Sequence, residues 1–287
     1  MSTPTRLYTG FRFPEGGRWH DGRLWFSDMH TGEVFRVDPD GDQLPEVVTR
    51  IDDQPSGLGW LADGSLLISS MLRRVVLKHA PDGSQSVHAD LSAMTDAPIN
   101  DMVVDESGAA YLGGFGYDLY AGAPQENGPV FAIPPTGEVR VADSDMVFPN
   151  GVVILPGTRT LVVAETWAAR LTAFDIGEDG ELSGKRLWAP LPAGSTPDGL
   201  CVDAEGGVWV SCIVNGRFIR VLAGGEVTDV VDVPGRCATD CVLGGLDGRS
   251  LYLLTSNSWQ PAETEERQGW IETVRVDVPG PQQPSYP

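Results

Sequence analysis

Six times along its 287 residues this chain repeats one short pattern: a three-residue anchor, a few apolar positions, a glycine turn, then a strand rich in β-branched and aromatic side chains. The anchors are PEG at Glu15, PSG at Ser56, IND at Asn100, PNG at Asn150, PDG at Asp198 and TDC at Asp240 (or its neighbour Thr239), spaced by 41, 44, 50, 48 and 42 residues. Repeats of this length mark architectures in which each unit buries its faces only against its neighbours. Turns follow at Asp21-Gly22, Asp63-Gly64, Gly108, Gly157, Gly206 and Asp247-Gly248, where Asp-Gly suits the positive φ of tight hairpins. Second strands start at Leu24, Leu66, Ala110, Leu161, Val208 and Leu251, and third strands at Val34, Val75, Val130, Leu171, Phe218 and Thr273. Fourth strands, such as EVVTR from Glu46 and EVRVA from Glu138, complete units of four short strands, the make-up of a propeller blade.

The pattern therefore predicts an all-β fold: a six-bladed β-propeller forming one domain over residues 1–287, with a Pro/Gln-rich tail from about residue 279. The unassigned strand TRLYT from Thr5 is expected to close the ring by completing the last blade. A sandwich, the rival all-β architecture, would not need the same anchor at the same offset six times. No helix of any length is expected, since 35 glycines and 22 prolines leave few unbroken helical windows.

Composition narrows the function classes. A net charge of −20, scattered among turns with no Lys/Arg stripe to offset it, argues against a nucleic-acid partner. No apolar run approaches the roughly 20 residues of a bilayer span, so no membrane partner is expected. The opening MSTPTRLYTG lacks the basic start and apolar core of a signal peptide, and a cytoplasmic location is expected. Cys201, Cys212, Cys237 and Cys241 form no CxxC pair and read as reduced structural thiols. Oligomeric state is not legible.

In a propeller, equivalent positions of successive blades form a ring about the axis, so the anchors face the mouth of the central channel. Four of them, Glu15, Asn100, Asn150 and Asp198, carry hard oxygen donors whose two carboxylates balance a dication. One divalent ion is expected there: calcium first, with magnesium, manganese or zinc as alternatives. Neighbouring Asp101 reads as a supporting carboxylate behind the ligands.

These same segments, PEGGRW around Glu15, IND at Asn100, FPNG at Asn150 and TPDGLCVDAEGGVWV around Asp198, resemble the SMP-30/gluconolactonase/LRE family from Phe13 to about Ser256. The resemblance implies a six-bladed propeller that binds Ca²⁺ or another divalent ion through Glu15, Asn150 and Asp198 and hydrolyses lactones. It also implies that Asn100 contacts metal or substrate, and that Asp198 is the catalytic base. One departure stands out. Sugar-lactone hydrolases of the family often hold an arginine two residues before the Asn-Asp pair, and here that place is Pro98, followed by Ile99.

The expected function is therefore metal-dependent opening of a lactone or related cyclic ester, with a small-molecule substrate less polar than an aldonolactone. Loops after the second strands supply a largely apolar rim of Met29, His30, Met71, Leu72, Phe115, Tyr117, Trp167, Ile213 and Trp259, with Asp118 as an acidic substrate contact by resemblance. Rival readings are a phosphotriesterase acting on organophosphates, a non-hydrolytic biosynthetic enzyme, and a non-catalytic binding propeller with calcium as a plug. No GxSxG elbow or glycine-rich phosphate loop points elsewhere.

Overall fold

A computed structural model describes residues 3–41 and 43–281; residues 282–287, most of the Pro/Gln-rich tail, lie outside the described residues. The described strands form six four-stranded antiparallel sheets, five running outward from an inner strand in chain order and the sixth ending on the N-terminal strand. The inner strands are Pro14–His20, Pro55–Trp60, Ile99–Val104, Pro149–Ile154, Pro197–Val202 and Cys237–Gly244. Each packs on the next, and the last returns to the first, so the sheets close a six-bladed propeller. The strand Thr5–Phe11 pairs with Gly269–Arg275 as the outer strand of blade six, fastening the two ends of the ring.

Most boundaries follow the repeat. The third strand of blade six starts at Gly269 rather than Thr273, and the fourth strand of blade three runs from Arg140 to Met146 rather than starting at Glu138. Helix is confined, among the described residues, to three single 3₁₀ turns at Met29–Thr31, Thr166–Ala168 and Pro261–Glu263. Of the Asp-Gly turns, only Asp21-Gly22 has positive φ at both residues. At Asp63-Gly64 the aspartate instead accepts the Ser65 N–H (2.9 Å), and only the glycine is left-handed.

The core lies between blades. Val162 and Leu171 of blade four, for instance, pack against Leu200 and Val210 of blade five. Each such fully buried side chain contributes about 1.5–3 kcal/mol by leaving water. Nearer the axis the contact is backbone to backbone. A Cβ on Gly16 would sit 2.2 Å from the Ser56 carbonyl oxygen, and one on Gly151 would sit 2.2 Å from that of Asp198. The glycine in PEG, PSG, PNG and PDG is thus required by close approach of neighbouring inner strands.

Candidate metal centre and its cavity

Each inner strand breaks register with its second strand at the anchor. Such a bulge bends the strand and re-aims a side chain, and here it turns one residue per blade toward the channel mouth. In blade six the break falls between Ala238 and Asp240, which makes Thr239 the counterpart of the other anchors. Asp240 occupies the position that is glycine in four blades and Asp101 in blade three.

Side chains beside the anchors stitch five of the six blade junctions. Ser27 donates to the Ser56 carbonyl (2.7 Å), Asn100 Nδ2 to that of Pro149 (3.3 Å) and Thr166 to that of Pro197 (2.8 Å). Ser211 donates to the Thr239 carbonyl (2.9 Å), and Thr239 to that of Pro14 (2.5 Å). At about 1 kcal/mol each, these bonds hold the ring to a fixed diameter and the anchors to fixed directions.

Glu15, Asn100, Asn150 and Asp198 converge on one cavity that opens at the channel mouth. All four are buried. Asn150 Nδ2 donates to Thr166 Oγ1 (3.3 Å), so with Asn100 bound to Pro149 both amide nitrogens are committed and both carbonyl oxygens are left for the cavity. Glu15 Oε1 is buried with no hydrogen-bond partner among the described residues. Burial, then the charge of Asp198, pushes the Glu15 carboxyl well above its usual range. Burial, then the charges of Asp240 and Asp101, does the same to Asp198. Two buried carboxylates and two amide oxygens, one carboxylate oxygen orphaned, fit a hard dication, whose charge would reverse these shifts. Among the described residues no group of three or more His, Cys, Asp or Glu offers a competing ligand cluster.

Beneath this ring lies a second charged layer. Arg18 donates to Asp101 Oδ1 (2.7 Å), to the Gly17 carbonyl (2.6 Å) and to the Met102 carbonyl, and lies 4.0 Å from Asp240 Oδ2. Burial opposes the charge on Arg18, but Asp101 and Asp240 outweigh it and raise its pKa. Burial and the Asp101 charge lift Asp240 to about 8, against the pull of Arg18. Asp101 is thus paired with Arg18 beneath the anchor ring.

The cavity wall is apolar. Of the rim residues expected from the sequence, Met29, Met71, Phe115, Trp167, Ile213 and Trp259 line it. Tyr117 stands behind the wall, its hydroxyl accepting the Trp167 indole N–H (2.9 Å). His30 is not among the lining residues. It stacks on Phe13, with ring centroids 4.9 Å apart, and its Nδ1 lies 2.8 Å from Thr264 Oγ1. Burial, aided by the Arg12 charge, lowers its pKa to about 3, so it stays neutral. Asp118 is exposed and turned to its own loop, where its carboxylate accepts the Ala121 N–H (3.0 Å).

Other lining residues were not evident beforehand: Phe13, Leu119, Tyr120, Phe148, Thr166 and Val214. Phe148 had a signal, since it opens the FPNG segment. Its φ of +60° is unusual for a bulky residue and turns its ring against Phe115, with centroids 4.4 Å apart. Strain of this kind costs about 1–3 kcal/mol and is held by the surrounding packing.

Residues 13–257 match the profile of the SMP-30/gluconolactonase/LRE-like region. The chain belongs to this family. A 6-deoxy-6-sulfogluconolactonase of Pseudomonas putida is 25% identical over 275 residues, covering 92% of this chain and 90% of the relative. Regucalcin of Xenopus laevis is 27% identical over 268 residues, covering 90% and 88%. Among solved structures, the calcium-binding protein regucalcin of Agrobacterium tumefaciens strain C58 superposes with a TM-score of 0.82 over the full length of both chains at 20% identity. That superposition shows the same propeller fold in this chain and in the Agrobacterium protein. Among the described residues no helix is long and apolar enough to cross a membrane.

Proposed function

We propose that this SMP-30/gluconolactonase/LRE-like protein is a lactonase-type hydrolase that uses one divalent ion, calcium first, held by Glu15, Asn150 and Asp198 with Asn100 bound or adjacent. The observation that carries the reading is the orphaned Glu15 oxygen among three further oxygen-bearing side chains, all at the floor of an open cavity. The lactonase name of the Pseudomonas relative supports the reaction class.

A dication in this ring supplies Lewis-acid polarisation of an ester carbonyl and charge balance for the two carboxylates. The chain's own residues supply the rest. Asp198 accepts a proton from the water that attacks the carbonyl carbon, from its place at the cavity floor beside Asn150. The wall of Met71, Phe115, Phe148, Trp167 and Trp259 excludes bulk water and orients the substrate by its apolar face.

That wall, with Pro98 and Ile99 in place of a charged grip on hydroxyls, supports a substrate less polar than an aldonolactone. An apolar pocket gains mainly from buried area, about 25 cal/mol per Å², while hydroxyl specificity needs matched polar partners. The test is kcat/KM for dihydrocoumarin against gluconolactone at equal calcium loading, with Asp198→Asn as the inactive control. Preference for dihydrocoumarin is expected. Preference for gluconolactone would overturn the substrate assignment, and full activity of Asp198→Asn would overturn the base.

A further inference from the structure

Four blades join their second and third strands by four residues (29–32, 71–74, 166–169 and 213–216), but blades three and six use the long segments 115–127 and 257–268. Both long segments reach the cavity, the first through Leu119 and Tyr120 and the second through Trp259. The first is a built turn. Asp118 accepts the Ala121 N–H through its side chain and the Ala123 N–H through its carbonyl, both at 3.0 Å, and the Gly122 N–H bonds back to the Leu119 carbonyl (3.1 Å). Tyr120 sits in the middle of this turn with its ring centroid 6.2 Å from that of Phe115.

Most donors around the cavity floor are already committed. The amide nitrogens of Asn100 and Asn150, the Thr166 hydroxyl and the Trp167 indole N–H all serve protein acceptors. The Tyr120 hydroxyl has no hydrogen-bond partner among the described residues, and its side chain lines the same cavity as Glu15 and Asp198. Trp259 lines the cavity from blade six, but an indole donates a hydrogen bond without releasing its proton. A phenol can release one. An ordinary phenol has a pKa of about 10, so it stays protonated until a stronger base forms beside it.

Building on the lactonase reading above, we propose that Tyr120 is the general acid of ring opening, donating its hydroxyl proton to the ring oxygen as the acyl C–O bond breaks. The water oxygen bonds to the carbonyl carbon while its proton moves to Asp198. The C–O bond then breaks, its electron pair stays on the ring oxygen, and the Tyr120 proton converts that oxygen to an alcohol. The proton on Asp198 returns to the Tyr120 phenolate through water in the open mouth, leaving a hydroxy acid and the enzyme in its starting state. Asp118 is a positioning residue, fixing the turn that presents the phenol. An alkoxide is far more basic than a phenolate, so this transfer runs downhill, and a lactone whose leaving oxygen is itself a phenol has little need of it.

The test compares wild type and Tyr120→Phe on δ-valerolactone, which releases an alkoxide, and dihydrocoumarin, which releases a phenoxide of pKa about 10. Loss of the acid is expected to lower kcat for δ-valerolactone by about 10²-fold or more and that for dihydrocoumarin by less than about tenfold. Dependence of kcat on leaving-group pKa across a lactone series should be shallow in wild type and steep in the variant. Equal losses on both substrates, or no loss on either, would overturn the role of Tyr120 while leaving the lactonase reading intact. A wild-type enzyme that opens neither lactone at saturating calcium would instead overturn the lactonase reading and this inference with it.

Discussion

The Arg18 guanidinium reaches from blade one to the Asp101 carboxylate of blade three, 2.7 Å away, spanning the channel directly beneath the anchor ring. With Asp240 at 4.0 Å on the other side, Arg18 is the internal counter-charge for two buried carboxylates that face no solvent. Removing one member of a buried ionic cluster leaves the others uncompensated, at about 3–5 kcal/mol. Arg18→Met should lower the unfolding free energy by that amount in urea titrations, and the triple variant Arg18→Met, Asp101→Leu, Asp240→Leu should recover most of it. Wild-type stability in the single variant would mean that the cluster is solvated.

Two glycines with similar backbone conformations separate strain from crowding. Gly16 has φ +58° and a neighbouring carbonyl oxygen 2.2 Å from where its Cβ would lie, whereas Gly22 has φ +69° and nothing within 4 Å. Gly22→Ala should cost about 1–2 kcal/mol, the ordinary penalty for a left-handed alanine. Gly16→Ala should cost at least about 2 kcal/mol more, because the Ser56 backbone has to move. Equal melting temperatures for the two variants would contradict inter-blade contact as the reason for the anchor glycine.

His30 carries a pH dependence whose sign is fixed by its burial. Its folded pKa, near 3, lies below the ordinary 6.5, so the unfolded chain binds the proton first as pH falls. The stability of the neutral buried form is fully present above pH 6.5 and is lost progressively down to about 3. Relative to His30→Gln, wild type should therefore lose melting temperature between pH 6.5 and 5, before most carboxylates titrate. A gap that stays constant over that window would place His30 in solvent.

The anchors, their ring and the blade order were legible because a repeat records which residues share a position, and equivalent positions of a closed ring must meet. Glu15 and Asp198 are 183 residues apart in sequence, yet they line one cavity floor for that reason alone. What departs from the repeat was not legible. Asp101 and Asp240 stand where four blades carry glycine, Arg18 lies two residues beyond that glycine in blade one, and nothing in their spacing announces an ion cluster. Tyr120 lies in a segment with no counterpart of its length in four of the blades. The wall position of Phe148 depends on a left-handed φ that no sequence pattern favours. His30 and Asp118 were assigned to the mouth by their nearness to second-strand ends, but a 3₁₀ turn carries His30 behind Phe13, and Asp118 turns back to cap its own loop.

The rim should govern affinity more than turnover. Trp167→Ala and Phe148→Ala each remove wall area without touching an anchor, so KM for dihydrocoumarin should rise several-fold while kcat changes little, as expected when uniform binding is lost. A fall in kcat with unchanged KM would assign these rings to the chemical step instead.

The central claim, that the anchor ring holds one divalent ion, is tested most directly by calcium titration calorimetry on chelator-treated protein, with wild type, Glu15→Gln and Asp198→Asn in parallel. One ion per wild-type chain is predicted, with a rise in melting temperature by mass action, and loss of binding in both variants. Absence of calcium binding to wild type, or retention of wild-type affinity in Glu15→Gln and Asp198→Asn, would contradict it.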